Sequence, residues 1–94
     1  MIPPYLLFIR YLAEELRVAR RLNKLSQTAL AAIMGSHRST LRNLEAGRLE
    51  GVQLKTVLLY CQYLGISPSY VFSRAEERCN ENVGRASVNG YIAP

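Results

Sequence analysis

The sequence LSQTALAAIMGSHRSTLRNLEAG, residues 25–47, reads as two short helices joined by a glycine turn. Ser26 is a favourable N-cap, because its hydroxyl can accept a hydrogen bond from a free N–H of the first helical turn. Gly35 is typical of the left-handed residue that ends a helix. Four apolar residues at helical spacing predict a buried stripe on the first helix: Leu30, Ala31, Ile33 and Met34.

The second helix of the pair has two contrasting faces. Leu41 and Leu44, three residues apart, lie on one face, and Gly47 ends the helix. The other face carries four polar side chains: Arg38, Ser39, Arg42 and Asn43. Two short helices around a glycine-containing turn are the signature of a helix-turn-helix, whose second helix reads base edges in the major groove of DNA.

Residues 25–47 resemble the helix-turn-helix of the phage Cro and repressor family, also called the Xre family. The likeness covers about residues 17–72, because residues 54–59 and 64–68 resemble that family's fourth helix and the turn into its fifth. The resemblance implies an all-α, five-helix lambda-repressor-like DNA-binding domain with a short C-terminal tail. We expect this domain at residues 1–79, with the helix-turn-helix at about 26–45, and the tail at residues 80–94.

The resemblance also implies which side chains contact double-stranded DNA. We expect base contacts from Arg38, Ser39, Arg42 and Asn43. Arg38 is the first choice, since a guanidinium can donate two hydrogen bonds to guanine; the alternative is an arginine bound to phosphate or facing solvent. We expect phosphate contacts from Gln27, His37, Arg48, Lys24 and Arg17.

Three positions within the region of likeness carry further expectations. His37 stands where the family usually has a small capping hydroxyl, so either Ser36 caps the helix or the helix starts one residue early. Arg20 and Glu45 match positions that form an internal ion pair in several family members. We therefore expect Arg20 to matter for the fold rather than for DNA contact.

The charge distribution agrees with a phosphate-binding surface. The 94 residues carry a formal net charge of +5, and 49% of them are hydrophobic, which suits one folded domain rather than a disordered chain. Residues 17–55 hold eight basic and two acidic side chains, a net charge of +6. The excess positive charge therefore coincides with the motif; a solvated basic face is the alternative.

Several other classes of protein are disfavoured. Cys61 and Cys79 are too few for a disulfide framework, and Cys61 falls on an apolar helical stripe. The apolar run of residues 5–9 is too short for a signal peptide and lacks a basic leader, and no segment is long enough to span a membrane. We expect a cytoplasmic protein without cofactor or metal. No catalytic triad or phosphate loop suggests an enzyme.

The remaining helices are predicted from apolar spacing. The first, residues 5–23, has a core stripe of Ile9, Leu12, Leu16 and Ala19 and a second apolar face of Leu6, Leu7, Phe8 and Tyr11. This second face either packs on the chain's own C-terminal segment or contributes to a dimer. The fourth helix, residues 53–64, is expected to point five residues inward: Leu54, Val57, Leu58, Cys61 and Leu64.

The fifth helix should begin at Pro68, capped by Ser67. Its residues Glu76, Glu77 and Arg78 are expected to be solvated. Helical periodicity is expected to end at Asn80, and Asn89-Gly90 is a candidate hairpin turn.

These observations predict a sequence-specific transcriptional regulator, most simply a repressor that binds a palindromic operator as a homodimer. The alternative is the antitoxin of a toxin–antitoxin pair, which binds DNA with the same motif and neutralises a partner protein. A controller of a restriction–modification system is a further option on the same fold.

Overall fold

The computed structural model describes residues 4–83, and these form five α-helices with no strand among them. The helices are α1 (Pro4–Leu22), α2 (Gln27–Met34), α3 (Arg38–Glu45), α4 (Leu54–Leu64) and α5 (Pro68–Val83). The all-α architecture with a helix-turn-helix at α2 and α3 confirms the expected fold class. The candidate hairpin at residues 89–90 lies outside the described residues.

Local sequence signals set the ends of the central helices. The Ser26 hydroxyl accepts the N–H of Ala29 at 3.0 Å, as expected of an N-cap. Gly35 has φ of 69° and ends α2, and the N–H of Ser36 then donates to the Ala31 carbonyl at 2.9 Å. The turn between α2 and α3 is therefore closed by the backbone itself.

The hydrophobic core lies between α1 and the other four helices. Its fully buried members include Leu16, Leu30, Leu41, Tyr60 and Val71. Cys61 and Cys79 are both buried free thiols, which confirms the expectation for Cys61. The core stripe predicted for α1 is confirmed at Leu12 and Leu16, whereas Ile9 and Ala19 are only half-buried.

Three residues predicted to face the core are instead exposed. Ile33 is 50% exposed, Leu54 is 66% exposed and Leu58 is 45% exposed. On α4 the inward stripe consists of Val57, Tyr60, Cys61 and Leu64, at a helical spacing of i, i+3, i+4 and i+7. Leu58 lies about 60° around the helix from Cys61, beyond the edge of this stripe, and Leu54 precedes the stripe on the first turn. Apolar character alone does not require burial.

The fifth helix extends beyond the point at which periodicity was expected to end. It continues to Val83, so the expectation of an end at Asn80 is wrong. The reason is tertiary: Cys79 is buried beside the first turn of α1, with its thiol 3.8 Å from the Pro4 carbonyl oxygen. Packing of this kind stabilises helical turns that have weak intrinsic preference. The boundary between domain and tail stays a prediction, and α5 crosses it.

Two residues of the second apolar face of α1, Phe8 and Tyr11, pack against α5. The rings of Phe8 and Phe72 lie 6.0 Å apart, and the Arg78 guanidinium lies 4.3 Å from the centre of the Tyr11 ring. Arg78 also donates to Glu14 at 2.8 Å and to Glu15 at 3.1 Å. The expectation that Arg78 is solvated is therefore wrong, because it links α5 to α1. Tyr5 and Leu6, at the start of α1, are exposed.

Candidate nucleic-acid interface

Helix α3 presents a polar face to solvent and an apolar face to the core. Leu41 and Leu44 are buried, while Arg38, Ser39 and Arg42 are exposed on the other side. Asn43 is half-buried. The helix therefore leaves three of the four predicted base-reading side chains free to reach a groove.

The start of α3 has no side-chain cap. His37 occupies the N-cap position in an extended conformation, and its imidazole makes no capping hydrogen bond. The N–H of Thr40 donates instead to the His37 carbonyl at 3.0 Å. The helix begins at Arg38 with His37 as its N-cap residue, so it neither starts one residue early nor is capped by Ser36. The exposed His37 ring stands at the end of the helix from which Arg38 also projects.

Arg48 is joined to the last turn of α3 by two hydrogen bonds. Its backbone N–H donates to the Asn43 carbonyl at 2.8 Å, and its Nε donates to Asn43 Oδ1 at 3.3 Å. Gly47, with φ of 76°, makes this turn possible. An adenine contact from Asn43 would use the same amide oxygen, so the predicted base reader and the predicted phosphate contact share one group.

The ion pair expected from the resemblance is present and buried. Arg20 Nε donates to Glu45 Oε2 at 2.7 Å, and Arg20 Nη2 donates to Glu45 Oε1 at 2.9 Å. Arg20 also donates through Nη1 to the Leu25 carbonyl at 2.7 Å. Planar, two-point pairing of this kind is the strong form of a charge-assisted hydrogen bond. The pairing ties α3 to α1, and the bond to Leu25 joins Arg20 to the turn before α2.

Two further donors reach the same carboxylate. Tyr60 of α4 places its hydroxyl 2.6 Å from Glu45 Oε2, and Gln27 of α2 donates through Nε2 to Glu45 Oε1 at 3.1 Å. The Glu45 carboxylate therefore accepts hydrogen bonds from side chains of α1, α2 and α4. We call these four residues, Arg20, Gln27, Glu45 and Tyr60, the Glu45 cluster.

The cluster changes the acid–base properties of its members. Burial raises the pKa of Glu45, but hydrogen bonds from Arg20, Tyr60 and Gln27 lower it, and the net pKa lies below the usual value. The hydrogen bond to Glu45 raises the pKa of Arg20. Burial, followed by the hydrogen bond to Glu45, raises the pKa of Tyr60. All three shifts favour an ionised Glu45 with a protonated Arg20 and a neutral Tyr60.

The remaining predicted phosphate contacts lie in different settings. Lys24 is exposed in the turn between α1 and α2, in the left-handed conformation with φ of 57°. Arg17 is half-buried, and its Nε is buried without a hydrogen-bond partner among the described residues. Gln27 is bonded to Glu45 and Arg48 is bonded to Asn43, both on the last turn of α3. Among the described residues, no hydrogen bond joins Lys24 or Arg17 to these side chains.

Two hydrogen bonds to Glu45, from the Tyr60 hydroxyl and from the Gln27 amide, were not expected from the sequence. A signal for Tyr60 was present, because a tyrosine on an otherwise aliphatic stripe needs a partner for its hydroxyl. A carboxylate at the C-terminal end of α3, where the helix dipole disfavours it, is such a partner.

A helix-turn-helix family matches residues 16–71, well over half of the chain and the whole span from the middle of α1 to the first turn of α5. No curated protein and no solved structure matches the chain. Within residues 4–83, no helix has the length and apolar character needed to cross a membrane. The chain belongs to the Cro/Xre-type helix-turn-helix family of DNA-binding regulators.

Proposed function

We propose that the protein is a sequence-specific transcriptional repressor that binds a palindromic operator as a homodimer in the cytoplasm. The observation that carries the proposal is the exposed face of α3, where Arg38, Ser39 and Arg42 project opposite the buried Leu41 and Leu44. Side chains of these types make the hydrogen bonds that distinguish bases in the major groove. Occupation of a promoter by the protein would then exclude the polymerase.

The protein would bind DNA through two kinds of contact, to phosphates and to base edges. Arg48, Gln27 and Lys24 would hold phosphates, which sets orientation without reading sequence. Arg38, Ser39, Arg42 and Asn43 would read base edges. In a two-fold symmetric dimer, two copies of α3 would enter successive major grooves about 34–36 Å apart. The operator would accordingly have two half-sites related by a palindrome.

The test is selection from fragmented genomic DNA with the purified protein at moderate salt, followed by sequencing. Enrichment of one palindromic site, lost in Arg38→Ala, would support specific dimeric recognition. The position of the site would identify the regulated genes. Diffuse binding that disappears as salt is added would show phosphate attraction alone and would contradict the proposal.

A second candidate is an antitoxin that binds both DNA and a partner protein. It is favoured by an apolar groove of about 150 Å³ between α1 and α5, lined in part by Val18, Leu22, Ile66 and Tyr70. Leu22 is 77% exposed, and two other residues that line the groove, Val18 and Tyr70, are exposed as well. Apolar side chains exposed together in this way are typical of a protein interaction site. A stable complex with the product of an adjacent toxin-like gene, lost in Leu22→Ser, would favour this function over an independent repressor.

A further inference from the structure

The side-chain amide of Gln27 has two hydrogens, and one of them is hydrogen-bonded in the structure. One hydrogen bond runs from Nε2 to Glu45 Oε1 at 3.1 Å. Gln27 is half-buried and is the first residue of α2, so its backbone N–H stands at the positive end of that helix. A planar amide with one N–H fixed inward has its second N–H fixed in direction as well.

The carboxylate that fixes Gln27 is itself held from two sides. Arg20 donates hydrogen bonds to both carboxylate oxygens of Glu45. The Tyr60 hydroxyl lies 2.6 Å from Glu45 Oε2 and 2.9 Å from the Leu16 carbonyl oxygen. Tyr60 has a single hydroxyl hydrogen, and both neighbours are acceptors. The charged and closer acceptor is the carboxylate, so this hydrogen bond restrains Glu45. Glu45 therefore has little freedom to swing away from Gln27.

We propose that Glu45 is a positioning residue for the phosphate contact of Gln27, with Arg20 and Tyr60 fixing the carboxylate. In this arrangement one Gln27 hydrogen is bound to Glu45 in the free protein, and the other already points toward the site of the DNA phosphate. The proposal rests on the function proposed above, specifically on Gln27 as a phosphate contact. Its consequence is that DNA binding does not have to order a free glutamine side chain, which would cost affinity.

The test is a mutant cycle measured by fluorescence anisotropy on a labelled 20-base-pair duplex of arbitrary sequence at low salt, since phosphate contacts need no particular sequence. The first variant is Gln27→Ala. The second is Arg20→Met combined with Glu45→Leu, because an apolar pair of similar volume can replace a buried ion pair without loss of the fold. The third combines all three substitutions. Val71→Ala, a buried change on α5 outside the cluster, is the control for general destabilisation.

We expect the apolar pair to weaken binding by roughly two- to tenfold, as for the loss of one immobilised side chain. In the Gln27→Ala background the same pair should cause no further loss, and Val71→Ala should bind as the wild type does. Additive losses, or an equal loss in Val71→Ala, would overturn the proposal. The wild-type protein could bind this duplex and yet enrich no site in the genomic selection. That result would contradict the proposed repressor function, but the mutant cycle would still test the role of Glu45.

A second measurement uses the unmodified protein and therefore does not depend on how the variants fold. In proton–nitrogen spectra, one side-chain N–H of Gln27 should exchange slowly in the free protein. The other should shift when the duplex is added. Fast exchange of both hydrogens in the free protein would reject the role of Glu45. Slow exchange of one hydrogen with no response of the other to the duplex would reject Gln27 as a phosphate contact, and with it the proposal.

Discussion

Arg20 and Glu45 lie 25 residues apart in the chain and meet through two hydrogen bonds of 2.7 and 2.9 Å, with both side chains almost fully buried. Removal of one partner from such a pair leaves the other charge buried without compensation. We expect Arg20→Ala to lower the free energy of unfolding by about 3–5 kcal/mol.

The matched control is Arg42→Ala, which removes an exposed arginine from α3. It should change stability by less than about 0.5 kcal/mol, as surface substitutions usually do. Thermal or urea unfolding compares the two variants with the wild type. Equal midpoints for both variants would reject the structural role of Arg20.

Acid should weaken the fold through Glu45. Its pKa is lowered in the folded protein, so its ionised form stabilises the fold above the pKa of the unfolded chain. This contribution is lost as the pH falls through the lower, folded pKa. We expect the free energy of unfolding of the wild type to fall with acidification below about pH 4.3, the ordinary glutamate value.

Glu45→Gln separates this effect from the titration of other carboxylates. The variant should be much less stable than the wild type at pH 7, and the difference should shrink as the pH falls through the lowered pKa of Glu45. Urea unfolding at a series of pH values measures both proteins. A difference that stays constant over this range would contradict the assignment.

Arg38 should contribute to discrimination between DNA sequences. We expect Arg38→Ala to lose about 1–3 kcal/mol of preference for the selected operator over a scrambled duplex, because a two-point guanine contact is removed. Arg21→Ala removes an equal charge from an exposed site on α1 and should weaken both duplexes alike. Anisotropy titrations of both variants provide the ratio, and a ratio unchanged by Arg38→Ala would make it a phosphate contact.

Arg78 should stabilise the packing of α5 on α1. It contacts Glu14, Glu15 and the Tyr11 ring, and its side chain is 28% exposed. We expect Arg78→Ala to reduce stability by about 1 kcal/mol, since solvent screens part of these interactions. The control is Arg74→Ala, whose ion pair with Glu77 lies in solvent. A melting temperature equally lowered in both variants would argue against a special role for Arg78.

The dimer interface can be tested at the start of α1. Tyr11 lies under Arg78, so a polar residue at that position would disturb the protomer itself. Tyr5 and Leu6, in contrast, are 56% and 41% exposed. If this face holds two protomers together, Tyr5→Ser with Leu6→Ser should lower the mass in sedimentation while the separated protomers stay folded. An unchanged dimer would place the interface elsewhere.

The helix order and the helix-turn-helix could be predicted because their signals are local. Ser26, Gly35 and Pro68 act on their own turns, and each is found where expected. Burial was harder to predict, since Leu54 and Leu58 are exposed although both are leucines on an apolar helix. Which face of α4 points inward depends on how that helix is rotated against α1 and α2, and that is a property of the whole fold.

In the candidate site, too, some features follow from local sequence and others from the packing of the helices. The exposure of Arg38 and Arg42 follows from the spacing of Leu41 and Leu44 along α3. The second bond of Arg48 to Asn43, and the bond of Gln27 to Glu45, depend on side-chain positions after the helices pack. The contribution of Tyr60 comes from a residue 15 positions beyond Glu45 and could be anticipated only from the need of a buried hydroxyl for a partner.

The Glu45 cluster also bears on how the exposed face of α3, the proposed DNA-reading surface, moves. Helix α3 is short, and a helix of eight residues would fray readily on its own. Its last turn, however, is joined through one carboxylate to three other helices. Local opening of α3 would therefore break the same bonds as global unfolding, and its backbone amides should exchange with solvent as slowly as those of the core. Recognition of different DNA sequences would accordingly require adjustment of side chains or of the DNA, because α3 itself is held rigidly.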